Sequence, residues 1–173
     1  MQKIPLWQPT NSQIENANMT KIRIFINNKY EIDLKNYDEL YDWSINYIVN
    51  FWQSLWEFFD IIYSKKYNSV LSIKDKNKSP ELMTNYEWFK GAKLNFAENL
   101  LRFSDDETAI IYYSENKIIR LTYKELYEEV AHTQAALIKS GVKKGDRVAG
   151  FITNRPEAII AMLATTSIGA IWT

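Results

Sequence analysis

The 173-residue chain has no cysteine, one histidine, four prolines and five glycines, and neither sign of charge is in excess. Without cysteine there is no disulfide framework, no thiolate zinc site and no cysteine nucleophile. A single imidazole, His132, rules out a histidine pair for a metal and leaves any Ser/His catalysis resting on one residue. The 21 basic and 21 acidic side chains balance locally as well, with 11 of each in residues 1–90 and 10 of each in 91–173. No basic face follows from that, which argues against nucleic acid or anionic membrane as a partner. The longest charge-free run, 158–173, is 16 residues long and includes Thr165, Thr166, Ser167 and Gly169. A spanning helix needs ~20 apolar residues, so the run reads as a buried helix followed by a strand. Met1, Gln2, Lys3, Ile4 and Pro5 place no apolar stretch behind their lysine, so no secretory signal is read there. The expectation is a soluble, cytoplasmic protein, and the lack of cysteine suits a reducing compartment.

What is present is the composition of a globular domain, 46% hydrophobic and 24% charged. A chain of this length can bury ~70% of its unfolded surface. The two halves differ in style. All five glycines and eleven of the twelve alanines lie at or after Gly91, whereas five of the six tryptophans lie at or before Trp88. A boundary is expected near residues 78–91, after the polar stretch Lys74, Asp75, Lys76, Asn77, Lys78, Ser79, Pro80, which reads as a surface loop.

The first half reads as helices. Asn11 and Ser12 can cap a helix whose apolar positions Ile14, Ala17, Ile22, Phe25 and Ile26 follow the 3.6-residue period. Asp38 and Glu39 open a second, with acidic charge at the positive end of its dipole. A third carries Phe51, Trp52, Leu55, Trp56 and Phe59 as one wide aromatic face, read as core, with Trp7 as an anchor against it. The second half alternates strand and helix. Residues 109–113 and 117–121 form a hairpin across Ser114, Glu115 and Asn116. Thr122 and Glu125 have capping-box spacing and start a helix to about Ser140, with Leu126, Val130, Ala131, Leu137 and Ile138 inward and Gly141 as its stop. A strand at 147–152, a helix opened by Pro156 and a strand begun at 170–173 complete a parallel βαβ unit. Ending inside a buried strand reads as truncation.

Few residues offer chemistry. There is no GxGxxG, GxxxxGK[ST] or GxSxG motif, so neither a phosphate loop nor a hydrolase elbow is signalled. His132 lies one residue past the inward Ala131, a helix-surface position. Asp105, Asp106 and Glu107 read as a solvated turn before a strand and not as a metal site. Position alone singles out the residues beyond the strand ends, because open α/β sheets bind ligands past their carboxyl edges. Thr153, Asn154 and Arg155 follow one strand and Thr173 ends the next, so Asn154 and Thr173 are the candidates for a substrate crevice. The structural alternative for Asn154 is a cap on the helix at Pro156.

Taken together, the residues of 141–173 resemble the adenylate-forming acyl-CoA synthetases. The pattern is carried by Gly141, Val142, Lys143, Lys144, Gly145, Asp146, Arg147 and Val148, then Asn154, Arg155, Pro156, Glu157, then Ile168, Gly169, Ala170, Ile171 and Trp172. Residues 108–111 and 121–126 fit the preceding hairpin and helix. Trp88, Phe89 and the run 94–101 resemble the acetyl-CoA synthetase branch. Residues 6–10, 18–21, 37–44, Phe51, Trp52, Trp56 and 88–95 narrow the resemblance to its acetoacetate-activating members.

The fold class implied is α/β. A helical N-terminal cap of the acetyl/acetoacetyl type, residues 1–90, is followed by an incomplete start of the AMP-binding domain, residues 91–173, holding a hairpin and a parallel βαβ. The resemblance implies that the complete enzyme is a ligase that activates acetoacetate with ATP and Mg²⁺ and passes the acyl group from acyl-AMP to CoA. Such chemistry must turn a poor leaving group into AMP while neutralising triphosphate charge. In the family the phosphate loop, the adenine-binding segments and the C-terminal lysine follow the region covered here. No catalytic, cofactor-binding or metal residue is therefore assigned, and the chain alone is expected to be inactive and to bind none of ATP, Mg²⁺ or CoA. The alternatives are a non-catalytic interaction module or a structural remnant, self-associating through an exposed core.

Overall fold

The computed structural model describes residues 6–79 and 83–173. Pro80, read as the end of the surface loop, and Met1–Pro5, read for a secretory signal, lie outside them. The chain divides into two compact units, one of Met1–Ile61 with Lys66–Ala92, the other of Ile62–Lys65 with Lys93–Thr173.

The first unit opens with four helices, α1 Asn11–Asn16, α2 Asn18–Tyr30, α3 Tyr37–Asn46 and α4 Ile48–Phe58. The single helix expected from Asn11 onward is two. Its cap is Thr10, in a reciprocal capping box with Gln13, and the chain breaks at Ala17, which is extended at φ −62°, ψ 141°. The Thr20 hydroxyl donates to the Ile14 carbonyl across that break at 2.6 Å, giving α1's end an acceptor-satisfying partner from the next helix. Acidic Asp38 and Glu39 do occupy the first turn of α3, whose N-cap is Asn36.

Ile22, Ile26 and Leu40 are the buried centre of this unit, covered by Phe25, Trp43 and Phe58. The aromatic face of α4 is only partly inward. Trp56 is 7% exposed, but Trp52 and Phe59 are 39% and 41% exposed. An eleven-residue helix turns through more arc than one neighbour covers, so the ends of a wide stripe reach solvent. Trp7, the expected anchor, is 71% exposed.

The unit also holds an antiparallel pair that the helical reading of the first half missed, β1 Ser69–Ile73 and β2 Tyr86–Lys90. Leu71 faces Trp88 and Ile73 faces Tyr86. Asn85, 2% exposed, closes the connection by pairing its amide with both backbone groups of Asp75, at 3.0 and 2.9 Å.

The second unit begins with α5 Phe96–Leu100, then the hairpin β3 Thr108–Tyr113 and β4 Ile118–Thr122, antiparallel with an irregularity between Thr108 and Ile110. Thr122 and Glu125 form the expected capping box at the start of α6 Tyr123–Lys139. Leu126 and Val130 are its buried residues, whereas Ala131 is exposed and Ile138 is 54% exposed, so the inward face is narrower than expected. It packs on α7 Pro156–Ile168, with Ala97, Leu126, Val130, Ile160, Leu163 and Ala164 as the core. The leucines, the valine and the isoleucine among them are each worth about 1.5–3 kcal/mol when fully buried. Pro156 opens α7 and Gly169, at φ 81°, ends it.

The remaining strands, β5 Arg147–Val148 and β6 Ile171–Trp172, pair in parallel on either side of α7, which makes the expected βαβ. The strand expected over 147–152 is shorter. Its ladder continues only to Gly150, and Phe151 is fully exposed. Among the described residues β5 has β6 as its neighbour, and residues 151 and 152 lie past the ladder.

Candidate functional site

The carboxyl ends of β5 and β6 lie side by side because three backbone hydrogen bonds join them. Ile171 N–H donates to the Asp146 carbonyl at 2.8 Å, Thr173 N–H to Val148 at 3.0 Å, and Gly150 N–H to Thr173 at 2.9 Å. Asp146 enters this ladder from a tight turn that its own carboxylate closes, accepting from Lys143 N–H at 2.7 Å. Both backbone groups of Thr173 are thus bonded to the β5 segment, and the residue is exposed.

Beyond Gly150 the chain runs through exposed Thr153, Asn154 and Arg155 to α7. The cap expected of Asn154 is not formed; the N-cap is Arg155, in extended geometry, with no side-chain cap bond. Arg155 instead holds Glu157 in a two-pronged pair, Nη2 to Oε1 at 2.8 Å and Nε to Oε2 at 3.1 Å. Hydrogen bonding to Glu157 raises the Arg155 pKa, and the same bond lowers that of Glu157. The pair leaves the edge without net charge of its own, and Asn154 and Thr173 remain as uncharged, solvent-facing donors and acceptors.

Other sequence candidates fall elsewhere. His132 sits exposed on α6. The acidic turn is closed internally, Glu107 N–H donating to Asp105 Oδ1 at 3.2 Å, with the Asp105 and Glu107 carbonyls accepting from Lys124 and Tyr123. Among the described residues no three His, Cys, Asp or Glu side chains are grouped to hold a metal ion. No described helix is long and apolar enough to cross a membrane. Nothing in this donor set of the described residues matches a triphosphate with its magnesium.

A second concavity was not legible in the sequence. A cleft of about 620 Å³ lies against α5, α6 and the end of α7, with Asn95, Glu98, Tyr127, Gln134 and Ser167 in its wall. Its polar floor is internally bonded, Gln134 Nε2 donating to Ser167 Oγ at 2.7 Å and Asn95 Nδ2 to the Ser167 carbonyl at 3.1 Å. The spacing of Asn95 and Asn99 was the available signal, but it points to capping as readily as to a cleft.

Comparison with known proteins gives these features a family. Residues 96–173 match the family model described as AMP-binding enzyme, and residues 37–100 match that of the acetyl-coenzyme A synthetase N-terminus. The acetoacetyl-CoA synthetase of Macaca fascicularis is 39% identical over 96% of this chain and 24% of its own length. The malonamoyl-CoA synthetase vrtB of Penicillium aethiopicum is 37% identical over 86% of this chain and 21% of its own. A solved acetoacetyl-CoA synthetase from Streptomyces lividans superposes with a TM-score of 0.83 at 35% identity, over 99% of this chain and 26% of that one.

The chain is therefore similar, through these two matched segments and its relatives, to the adenylate-forming acyl-CoA synthetases. Within them it is homologous to the acetoacetyl-CoA synthetases over nearly its whole length, and it spans about a quarter of the length of the curated relatives it matches.

Proposed function

We propose that this chain supplies the helical cap, residues 1–90, and the beginning of the AMP-binding domain, residues 91–173, of an acid–thiol ligase. The complete ligase activates acetoacetate with ATP and Mg²⁺ as acyl-AMP and transfers the acyl group to CoA. In this reading Asn154 and Thr173 face the substrate crevice, the chain alone is catalytically silent, and the compartment is the cytoplasm. The observation that carries the reading is the whole-length homology to acetoacetyl-CoA synthetases in sequence and in fold. Silence of the isolated chain follows from charge, since electrostatic stabilisation is usually the largest catalytic contribution and no described residue is arranged to clamp a triphosphate.

Two measurements test it. Purified 1–173 should give no acetoacetate-dependent ATP–pyrophosphate exchange above a buffer control, and robust exchange free of contaminating synthetase overturns the silent-chain reading. Replacing the matched quarter of the Streptomyces lividans enzyme with this chain should yield a chimera that still forms acyl-AMP from acetoacetate. A folded, soluble chimera without that activity overturns the ligase reading.

A second reading, an interaction module, is favoured by one observation. Phe151 is fully exposed and Ile152 and Ile171 are about half exposed at the same strand ends. Large apolar groups clustered in the open favour association. Sedimentation of 1–173 as a concentration-dependent dimer that Phe151→Asp dissolves would support self-association through this edge.

A further inference from the structure

Helix α5 is only five residues long, yet two asparagines one turn apart tie it to two other segments. Asn95 Oδ1 accepts from Glu98 N–H at 3.2 Å and so caps α5 itself. Its Nδ2 donates to the carbonyls of Thr166 and Ser167 at 3.0 and 3.1 Å, within the last turn of α7. One side chain is thus an N-terminal cap for one helix and a C-terminal partner for another. Asn99 fixes this arrangement in turn. Its amide pairs with both backbone groups of Ile62, at 2.9 and 3.0 Å, and its Nδ2 also reaches the Asn95 carbonyl at 2.9 Å.

The two carbonyls that Asn95 holds sit three and two residues before the left-handed Gly169, whose own N–H shares that of Thr166 at 3.0 Å, and from Gly169 the chain enters β6. The last four carbonyls of a helix have no intrahelical partner, and helix ends fray when nothing else holds them. The β5–β6 ladder is short, with Arg147 and Val148 paired to Ile171 and Trp172. So short a ladder has little power to choose its own register, and where α7 delivers the chain decides it.

We propose that Asn95 is a positioning residue for the crevice. By anchoring the carboxyl end of α7 it sets the start of β6, and through it the placement of Thr173 beside Gly150. The proposal rests on the reading of Thr173 and Asn154 as crevice residues, since only that reading gives the placement a use.

The test separates the two ends of the amide. Asn95→Asp keeps an oxygen to cap α5 but removes the donor to α7, whereas Asn95→Ala removes both. Amide hydrogen exchange in 1–173 is read at Gly150, Ile171 and Thr173, with the β3–β4 amides as internal reference. Both variants should exchange roughly tenfold faster at the ladder and unchanged at β3–β4, as for local opening after loss of two hydrogen bonds. The Gly150 α protons provide a second readout, because the Trp172 indole lies against them and shifts their resonances. That shift should collapse in both variants. Native ladder protection and a native Gly150 shift in Asn95→Asp would overturn the proposal. So would equal acceleration throughout the unit, which would make Asn95 a contributor to general stability only. No substrate enters these measurements, so their failure leaves the crevice reading to be judged by the chimera.

Discussion

The indole of Trp172 covers Gly150 so closely that a β-carbon built on the glycine would lie 2.4 Å from the indole Cη2 and 2.7 Å from Cζ2. Contact at that range is possible only because glycine has no side chain, and it locks the far ends of β5 and β6 together beneath the ladder. The need here is steric, unlike that at Gly169, where φ is 81°. Gly150→Ala should therefore displace the indole and cost about 1–3 kcal/mol, as overpacking does. Chemical denaturation measures the loss, and tryptophan emission reports the displaced ring. In a Trp172→Ala background the same substitution should cost far less, because the clashing atoms are gone.

Trp56 is the buried member of the aromatic face on α4. Its ring meets Tyr67 edge-on at 5.1 Å and Phe89 at 4.8 Å between centroids. Phe89 holds a left-handed backbone at φ 47°, a conformation that bulky residues adopt only when their surroundings enforce it. Trp56→Ala should cost about 3–5 kcal/mol, the range for large-to-alanine changes in cores. Gln53→Ala, on the exposed side of the same helix, should change stability by less than about 0.5 kcal/mol. A wild-type denaturation midpoint for Trp56→Ala would mean that the ring is not anchored as described.

Lys29 and Glu57 form an ion pair between α2 and α4. Burial works against the charged lysine, but the hydrogen bond to Glu57 and the nearby negative charge outweigh it and raise its pKa above the ordinary 10.5. Burial likewise pushes Glu57 upward, and the hydrogen bonds from Lys29 and Gln53 outweigh it and hold the carboxyl below 4.5. The Glu57 contribution is therefore present above pH 4.5 and lost as the pH falls through its lower folded value. The Lys29 contribution is present below pH 10.5 and lost as the pH rises through its higher folded value. With a third of the Glu57 side chain exposed, the pair is worth less than about 1 kcal/mol. Glu57→Gln should lower stability by that amount at neutral pH, and the gap should close in strong acid when denaturation midpoints are compared.

Local chemistry was legible in the sequence and pairing at a distance was not. Thr122 with Glu125, and Gly169, satisfy backbone groups within a few residues, and Pro156 removes an N–H that would be orphaned, so a short motif suffices to announce α6, the start of α7 and its end. The break at Ala17 escaped because Ala is a good helix former and the apolar period continues across it. The β1–β2 pair escaped for another reason. Its strands are five residues each and separated by a connection in which buried Asn85 does the closing, a contact ten residues long in sequence. At the candidate crevice, the strand-end rule brought out Asn154 and Thr173, but the cap expected of Asn154 was displaced by Arg155, which Glu157 holds in place.

That crevice makes its own prediction. In the chimera described above, Asn154→Ala and Thr173→Ala should each reduce kcat/KM for acyl-AMP formation by roughly tenfold, the loss of one or two hydrogen bonds to a reacting complex. Gln53→Ala, far along the chain in the other unit, is the control and should leave kcat/KM unchanged. Equal kinetics for all three would remove Asn154 and Thr173 from the site.

Among the described residues, three asparagines imitate backbone. Asn27 pairs with Leu34, Asn85 with Asp75 and Asn99 with Ile62, each accepting from an N–H and donating to the carbonyl of the same residue at 2.9–3.0 Å. A carboxylate at such a position keeps the acceptor but turns a negative oxygen toward the carbonyl. In Asn99→Asp that oxygen would face both the Ile62 and Asn95 carbonyls, from which Asn99 now receives no repulsion because it donates to both. The substitution should cost about 1–3 kcal/mol at neutral pH, the range for a lost hydrogen bond that leaves buried groups unpaired. The facing carbonyls favour the protonated carboxyl, so its folded pKa lies above its unfolded one. Stability relative to wild type is then fullest below the unfolded pKa and falls as the pH rises through the folded value. Denaturation midpoints of Asn99→Asp and wild type should accordingly differ most near pH 7 and draw closer in acid, because protonation restores one of the two donors. Asn99→Ala, which cannot regain a donor, should show a gap that does not close in acid. If the aspartate and alanine variants share one pH profile, the donor to Ile62 is not what holds this segment.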